Sequence, residues 1–359
     1  MLNKLIMATA ILTMFLSFGW TQSTLQEEFS LVTPAGDTLA GEIAYPNREG
    51  KFPAAILIWG SGPHTRDQVI SGSPIFKQIS EALIAQDIAV MRLDKRGYGN
   101  SNGDYRSEDN YTTRDLADDI SLAYNYLNQH VVVDTTKVGL IGHSEGSIIA
   151  SMLAAEDPSI DWLILFGPSA VSGKEIELAQ GRVQREKLGM SAEISKAVEQ
   201  VWERYIDFII SGYKDETLYY QIGRDFLIAH GLDQNDERIT PTFIDQLLDA
   251  YQTPWYQYFY ATDNRIYLEK IKIPVLGVFG GADQHTSVAL HLLPFYQALE
   301  RAQNTQYKII VLADEDHFFF RFQGNRMEKH QFGEMRMSER FLSSIKNWLR
   351  AEYITSPWH

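Results

Sequence analysis

The sequence predicts an α/β fold in which a mostly parallel, doubly wound sheet carries an inserted block of helices, called the cap below. From residue 52 onward, short runs that are apolar on both faces alternate with amphipathic helical periods, as in parallel sheets covered by helices. The alternation stops over residues 172–265, where the apolar spacing is helical, and then resumes. A Gly-x-Ser-x-Gly pentapeptide joins one apolar run to an apolar helix.

Local patterns place the individual elements. Residues 25–45 alternate apolar and polar positions around Gly36-Asp37, which predicts a β-hairpin. Buried strands are predicted over 54–59, 88–93, 138–141, 162–166, 274–280 and 307–312, and helices over 75–86, 116–129, 194–209, 215–230, 242–251 and 335–351.

Length and composition fit one large α/β domain with an insertion, or two modest domains. The 359 residues are 45% hydrophobic, which is ample for a sizeable core. The net charge of −14 argues against nucleic acid or an anionic membrane surface as a partner. The chain has no cysteine, which excludes disulfides and a thiol nucleophile. We predict that the core has two parts, residues 23–171 and 266–359, separated by the cap at 172–265.

Residues 1–22 have the pattern of a signal peptide. Lys4 precedes the apolar stretch Leu5–Phe18, and small residues suitable for cleavage follow. We therefore expect an exported protein, periplasmic or secreted, with no membrane span left after cleavage. Because the chain has no cysteine, export to a bacterial periplasm fits better than a eukaryotic secretory route. A retained membrane anchor and a buried N-terminal helix are the alternatives.

The pentapeptide Gly142–Gly146 reads Gly-His-Ser-Glu-Gly and follows an apolar strand directly. Glycines at both ends allow a turn too tight for flanking side chains. Such a turn presents Ser144 as a nucleophile at the end of the strand. The alternative is an ordinary Gly/Ser turn between a strand and a helix.

A serine nucleophile needs a base and a group that orients the base. Asp283 follows the predicted strand 274–280, and His317 follows the strand 307–312. Both loops should open at the same sheet edge as Ser144, where ligands bind in open α/β sheets. Asp314 and Asp316 are rival acids, but they are very near His317 in sequence. The alternatives are a turn-forming role for Asp283 and a surface position for His317.

The negative charge that forms on the attacked carbonyl oxygen needs backbone N–H donors, an oxyanion hole. Glu145, directly after the nucleophile, should supply one. Ser61 should supply the other, in the Gly-rich loop after the strand 54–59; a simple loop turn is the alternative.

Three further residues are candidates for the substrate pocket. These are Trp255, at the return of the cap to the core, His64, beside the oxyanion loop, and His285, two residues past Asp283. The alternative role for Trp255 is packing, and the alternative for the two histidines is a position on the polar rim of the pocket. No residue grouping has convincing metal-ligand spacing and no loop suggests a nucleotide, so neither a cofactor nor a metal is expected.

Taken together, these motifs resemble those of bacterial α/β-hydrolases of the carboxylesterase kind, related to dienelactone hydrolases and prolyl-oligopeptidase-like serine peptidases. The resemblance spans about residues 25–350 and implies an acyl-enzyme mechanism with Ser144, Asp283 and His317 as its triad. The loop at Ser61 lacks the His-Gly-Gly-Gly pattern of many lipases, which weakens a lipase interpretation. The matching pieces are residues 60–63 with 66–67, 94–101, 142–146 and 254–259, and the Asp283 and His317 loops.

The leading interpretation is a serine hydrolase that cleaves small-molecule carboxylic esters. An exopeptidase or amidase on the same fold is the second, because the cap contains Glu175, Glu177 and Glu203, which could hold a peptide amine. However, Glu175 and Glu177 are two residues apart and would point to different helix faces. A third interpretation is a non-catalytic binding module on the same fold. It predicts that a triad residue has been replaced, and the sequence shows no such replacement.

Overall fold

The computed structural model describes residues 24–103, 111–323, 326–327 and 335–351. The predicted signal peptide, residues 1–22, lies outside the described residues and stays a prediction. Among the helices within those ranges, none combines the length and the apolar character needed to cross a bilayer.

The centre of the fold is an eight-stranded sheet. The strands of the described chain are β1 (Thr24–Val32), β2 (Thr38–Pro46), β3 (Phe52–Ile58), β4 (Val69–Ile70), β5 (Ser73–Pro74), β6 (Ala89–Leu93), β7 (Val133–His143), β8 (Trp162–Phe166), β9 (Val275–Gly280), β10 (Tyr307–Leu312), β11 (Phe322–Gln323) and β12 (Arg326–Met327). The sheet order is β1-β2-β6-β3-β7-β8-β9-β10, and only the β1–β2 and β2–β6 pairs are antiparallel. The predicted α/β fold with a mostly parallel sheet is confirmed. Two small hairpins, β4–β5 and β11–β12, lie outside this sheet.

The central strands are buried because helices cover them. Every residue of β6, β8 and β9 is buried, as the uniformly apolar runs predict. The helices before the cap are α1 (Ile75–Ile84), α2 (Thr113–Leu127) and α3 (Glu145–Glu156). Their boundaries follow from local chemistry: α2, for example, begins at a capping box formed by Thr112 and Asp115.

Between β8 and β9 the chain forms the helices of the cap. They are α4 (Gly173–Lys187), α5 (Ala192–Ile210), α6 (Glu216–Ala229), α7 (Pro241–Leu248), a 3₁₀ turn (Asp249–Tyr251), α8 (Pro254–Ala261) and α9 (Arg265–Leu268). The first five α-helices each start after a Ser, Asp or Thr whose side chain accepts a backbone N–H. Their apolar faces meet around Trp202, Tyr205 and Ile222.

In the described part of the chain, two further helices complete the core, α10 (Val288–Arg301) and α11 (Glu339–Leu349). The helix α10 is not among the predicted elements, and it contains Pro294, which interrupts a helical pattern. The strand β7 begins five residues before the predicted 138–141. Its first part is polar but pairs with β3 through Val133 and Phe52, with a register shift after Phe52.

Candidate active site

Ser144 lies at the sharp turn between β7 and α3. Its φ is 53°, in the left-handed region that non-glycine residues rarely adopt. The turn requires glycine on both sides: a Cβ on Gly142 would lie 2.3 Å from the Gly146 carbonyl oxygen, and one on Gly146 would lie 2.2 Å from the Ile58 carbonyl oxygen. The pentapeptide therefore forms the strained strand-to-helix turn that its glycines predict.

Asp283 and His317 form a buried hydrogen-bonded pair. The loop after β9 carries Asp283, and the loop after β10 carries His317, whose Nδ1 lies 2.8 Å from Asp283 Oδ2. Asp283 Oδ1 accepts the backbone N–H groups of His285 and Thr286, at 2.7 and 2.9 Å. Burial alone would raise the pKa of Asp283, but the His317 charge and these hydrogen bonds outweigh it and lower the pKa. Asp283 is therefore ionised at neutral pH.

Thr286 links the pair to the cavity at Ser144. The Thr286 hydroxyl donates to Asp283 Oδ2 at 2.7 Å, lies 3.3 Å from His317 Nδ1, and lines a cavity together with Ser144. Ser144 N–H donates to the carbonyl of Phe166 at 3.2 Å, and a Cβ on the next residue, Gly167, would lie 3.2 Å from the His317 ring. The structure thus places Ser144 and Thr286 on one cavity, with the Asp283–His317 pair in contact with Thr286.

The Asp283 contact also fixes which His317 nitrogen can accept a proton. An ionised carboxylate only accepts hydrogen bonds, so His317 Nδ1 carries the hydrogen of the neutral ring. The lone pair then lies on Nε2, as general-base catalysis requires.

Two buried residues behind Ser144 were missed by the sequence analysis. His143 Nε2 donates to the His317 carbonyl at 2.9 Å, while its Nδ1 accepts from Gln68 Nε2 at 2.7 Å. Burial, with the nearby His317, lowers the pKa of His143 well below its usual value and keeps the ring neutral. His143 thereby ties the base-bearing loop to the nucleophile turn. His143 stands inside the pentapeptide, but nothing in the sequence singles out Gln68.

The predicted oxyanion loop lies directly beside the nucleophile. A Cβ on Gly60 would lie 3.3 Å from Ser144 Cβ, so the glycine permits this close approach. Ser61 and Glu145 line the same cavity as Ser144. Glu145 is the first residue of α3, where backbone N–H groups have no partner within the helix. Both residues predicted to supply donors therefore line this cavity.

The cavity at Ser144, called the catalytic cavity below, measures about 300 Å³. Core loops form one side, and helices α4 and α8 of the cap form the other. Its lining consists of Ser61, Gly62, Ser144, Glu145, Ser169, Ile176, Glu177, Gln180, Trp255, Tyr256, Phe259 and Thr286.

A second cavity of about 450 Å³ adjoins the first and shares Glu177 and Gln180 with it. Its lining combines charged residues, such as Arg185 and Lys187, with the Trp202 and Tyr251 rings, which lie 4.9 Å apart and edge-on. It also includes His285, whose ring centroid lies 4.8 Å from that of His317. We call this space the cap cavity.

The three candidate pocket residues have different placements. Trp255 lines the catalytic cavity, and its indole N–H donates to Glu145 Oε1 at 2.7 Å. His285 lines the cap cavity instead. His64 is absent from the described lining of both, and its Nε2 donates to the Ser61 carbonyl at 2.9 Å. Burial, with the nearby Lys95 charge, lowers the pKa of His64 to about 4. His64 therefore braces the oxyanion loop as a neutral ring.

The rival acids beside His317 have other partners. Asp316 Oδ1 accepts the backbone N–H groups of Phe318 and Phe320, both at 2.9 Å. Asp314 lies 3.5 Å from an Arg340 guanidinium nitrogen. The geometry accordingly favours Asp283 as the partner of His317.

Of the three cap carboxylates named above, only Glu177 lines the catalytic cavity. Glu175 is bound by Arg265 at 2.6 Å, and Glu203 by Lys174 at 3.1 Å. Burial raises the pKa of Glu177, although Trp202 Nε1 donates to its Oε1 at 3.2 Å. The cap therefore presents one carboxyl group to the site rather than a pair.

Comparison with known proteins finds relatives in sequence and in fold. "Esterase EstD" from Thermotoga maritima is 23% identical over 314 residues, which is 87% of this chain. The chain spans 65% of EstD, just under two thirds of its length. Among solved structures, the Pyrococcus furiosus esterase Pf2001 matches with a TM-score of 0.55 and 15% identity over 91% of each chain. The α/β-hydrolase GrgF from Penicillium sp. sh18 matches with a TM-score of 0.54 and 15% identity, over 92% of this chain and 99% of GrgF. The two structures show the shared fold.

The family match covers most of the described core and cap. The pattern of the family described as "Serine aminopeptidase, S33" matches residues 69–320, which include Ser144, Asp283 and His317. With the sheet, the inserted helices and the strained serine turn, this match shows that the chain belongs to the S33 serine aminopeptidase family of the α/β-hydrolase superfamily.

Proposed function

We propose that the protein is a serine hydrolase that cleaves carboxylic esters through an acyl-enzyme. One observation carries the proposal: the strained Ser144 lines a cavity beside the oxyanion loop together with Thr286, which contacts the hydrogen-bonded Asp283–His317 pair. The names of EstD and Pf2001, both esterases, support the choice of ester substrates.

In acylation, Ser144 Oγ attacks the carbonyl carbon of the ester while His317 Nε2 takes the hydroxyl proton. Asp283 holds the ring and stabilises the imidazolium that forms. The negative charge that develops on the carbonyl oxygen is stabilised by the N–H groups of Ser61 and Glu145. As the tetrahedral intermediate collapses, the carbon–oxygen bond to the alcohol breaks, and His317 returns the proton to the leaving alcohol.

In deacylation, water takes the place of the alcohol. His317 Nε2 removes a proton from the water as its oxygen attacks the acyl carbon of the Ser144 ester. The bond to Ser144 Oγ then breaks, the proton returns to Ser144, and the carboxylic acid leaves. The same two N–H groups serve both steps.

The cavities support an ester with a sizeable acyl or alcohol part. The catalytic cavity holds the reacting carbonyl, and the adjoining cap cavity offers a further 450 Å³ beyond Glu177 and Gln180. Because Trp202 and Tyr251 line that space, an apolar or aromatic group fits it best.

An aminopeptidase is the second candidate, favoured by the family description and by Glu177 in the cavity wall. A carboxylate there could hold the free amine of a peptide. Against it, burial raises the pKa of Glu177, which disfavours the charged form that an amine clamp needs, and Glu175 and Glu203 are paired elsewhere. The ester interpretation therefore stands first.

Turnover of 4-nitrophenyl butyrate and of alanine 4-nitroanilide separates the two candidates. We expect rapid hydrolysis of the butyrate, little hydrolysis of the anilide, and less than about a tenfold change in kcat/KM for the butyrate in the Glu177→Gln variant. An amine held by Glu177 would contribute roughly 1.5–3 kcal/mol, or about 10- to 200-fold in kcat/KM. Efficient anilide hydrolysis that is lost in Glu177→Gln would favour the aminopeptidase.

We also propose that residues 1–22 direct export, because Lys4 and the apolar stretch Leu5–Phe18 have the order of a signal peptide. Expression of the full chain in a Gram-negative host should yield a shortened protein in the periplasmic fraction. Intact-mass measurement of that protein locates the cleavage site. Recovery of full-length chain from the cytosol alone would contradict export.

A further inference from the structure

Lys95 is a fully buried lysine that the proposed chemistry does not use. It follows β6 by two residues, and its ammonium donates to the carbonyl oxygens of Gly60 and Gly62, at 3.3 and 3.1 Å. These two carbonyls flank Ser61. Lysine is almost never fully buried unless it is paired, because removing the charge from water costs several kcal/mol. The complete burial of the Lys95 charge therefore needs an explanation.

The charge partner of Lys95 is Glu145, the residue that supplies the second oxyanion donor. Glu145 Oε2 lies 3.7 Å from Lys95 Nζ, and the exposed fractions of the two side chains are 0% and 1%. Glu145 Oε1 accepts hydrogen bonds from Trp255 Nε1 and the Thr113 hydroxyl, at 2.7 and 2.8 Å. Glu145 Oε2 has no hydrogen-bond partner among the described residues, so its compensation is the Lys95 charge.

The peptide geometry links this pair to the oxyanion hole. The Gly60 carbonyl and the Ser61 N–H belong to one planar trans peptide and point in opposite directions. An ammonium on the carbonyl side therefore fixes the Ser61 N–H pointing away from Lys95, and it polarises that peptide toward a stronger donor. The Glu145 side chain is held by Lys95, Trp255 and Thr113, which restrains the first residue of α3 and so the position of its N–H.

We propose that Lys95 is a positioning residue for the oxyanion hole, acting on both donor amides at once through the Gly60 carbonyl and the Glu145 carboxylate. Trp255 extends the network to α8, so the return of the cap to the core is bonded to the same carboxylate. The inference rests on the proposed function, since it concerns the amides assigned there.

The test compares Lys95→Met with the wild type on 4-nitrophenyl butyrate. A misplaced donor amide weakens binding of the transition state more than binding of the substrate. We expect kcat to fall by about 10- to 100-fold, somewhat less than for removal of a whole donor, with KM changed by less than about threefold. A trifluoromethyl ketone analogue of the butyrate, which forms a tetrahedral adduct, should bind more weakly by about the same factor as kcat/KM falls.

Two further variants keep the test decisive. Lys95→Met leaves a buried carboxylate without its cation and could unfold, whereas the double variant Lys95→Met/Glu145→Gln removes both charges and keeps an acceptor for Trp255 and Thr113. We expect the double variant to melt near the wild type but to keep the low kcat, since the Gly60 carbonyl still lacks its donor. Lys77→Met, at an exposed lysine on α1, controls for the lost positive charge and should behave as wild type.

A double variant with wild-type kcat, or a loss confined to KM, would overturn the proposal. Failure of the proposed function has a different signature: the wild-type protein itself would not hydrolyse the butyrate. In that case the trifluoromethyl ketone would also fail to bind the wild type. The two failures are therefore distinguishable.

Discussion

Replacing Ser144 with alanine is expected to lower kcat for an activated ester by about 10⁴-fold or more. The variant lacks the oxygen that must attack the carbonyl carbon, and no cysteine is present to replace it. The melting temperature should change little, because alanine at φ 53° bears the same backbone strain as serine. Steady-state hydrolysis of 4-nitrophenyl butyrate measures the loss.

Ser211→Ala is a matched control for Ser144→Ala, because Ser211 is an exposed serine at the end of α5 in the cap. We expect wild-type turnover from it. If Ser144→Ala kept more than about one hundredth of the wild-type kcat, covalent catalysis by Ser144 would be refuted.

The Asp283→Asn variant should lose about 10³- to 10⁴-fold in kcat. An asparagine amide can donate to His317 Nδ1, which moves the ring hydrogen to Nε2 and leaves no lone pair to accept the Ser144 proton. Asparagine also cannot stabilise the imidazolium. Turnover within tenfold of the wild type would show that another acid, such as Asp316, serves His317.

The stability of the fold should depend on pH through Asp283, because the pKa of this residue is lower in the folded protein than in the unfolded chain. Such a carboxylate stabilises the fold above its unfolded pKa, about 4, and this contribution is lost as the pH falls toward the folded value. The difference in free energy of unfolding between the wild type and Asp283→Asn should be largest near neutral pH and shrink below about pH 4. Urea unfolding from pH 3 to 7 measures it, and a difference independent of pH would contradict this account.

The sequence places the proposed reacting residues at one sheet edge because each follows a strand of the parallel sheet. In a parallel sheet the carboxyl ends of β7, β9 and β10 meet at one edge, so order and strand position place Ser144, Asp283 and His317 together. The glycines of the turn add a local reason, since the backbone contacts of Gly142 and Gly146 leave no space for a side chain.

The supporting contacts could not be predicted, because they join residues distant in sequence through loop conformations. Gln68 reaches His143 from a left-handed backbone position, and Lys95 reaches Glu145 across the sheet edge. Thr286 is different: three residues after Asp283, its hydroxyl and N–H bond the carboxylate in a local turn. The three-residue spacing between Asp283 and Thr286 therefore makes this contact predictable from the sequence.

The cap limits the prediction of substrates for the same reason. Helical spacing predicts that residues 172–265 fold as helices, but it does not fix which side chains face the core. Glu175 and Glu177 illustrate this: the first completes the capping box of α4 and binds Arg265, and the second faces the catalytic cavity. Only the packed structure separates their roles.

Labelling of the wild-type protein with a fluorophosphonate, followed by peptide mass spectrometry, tests the central claim most directly. The reagent phosphonylates a serine only where a base activates the hydroxyl and donors stabilise the developing charge. We predict one adduct, on the peptide that contains Ser144, with ester hydrolysis lost in proportion to labelling. An active protein that stays unlabelled, or that carries its adduct on another serine, would contradict the assignment of Ser144, His317 and Asp283.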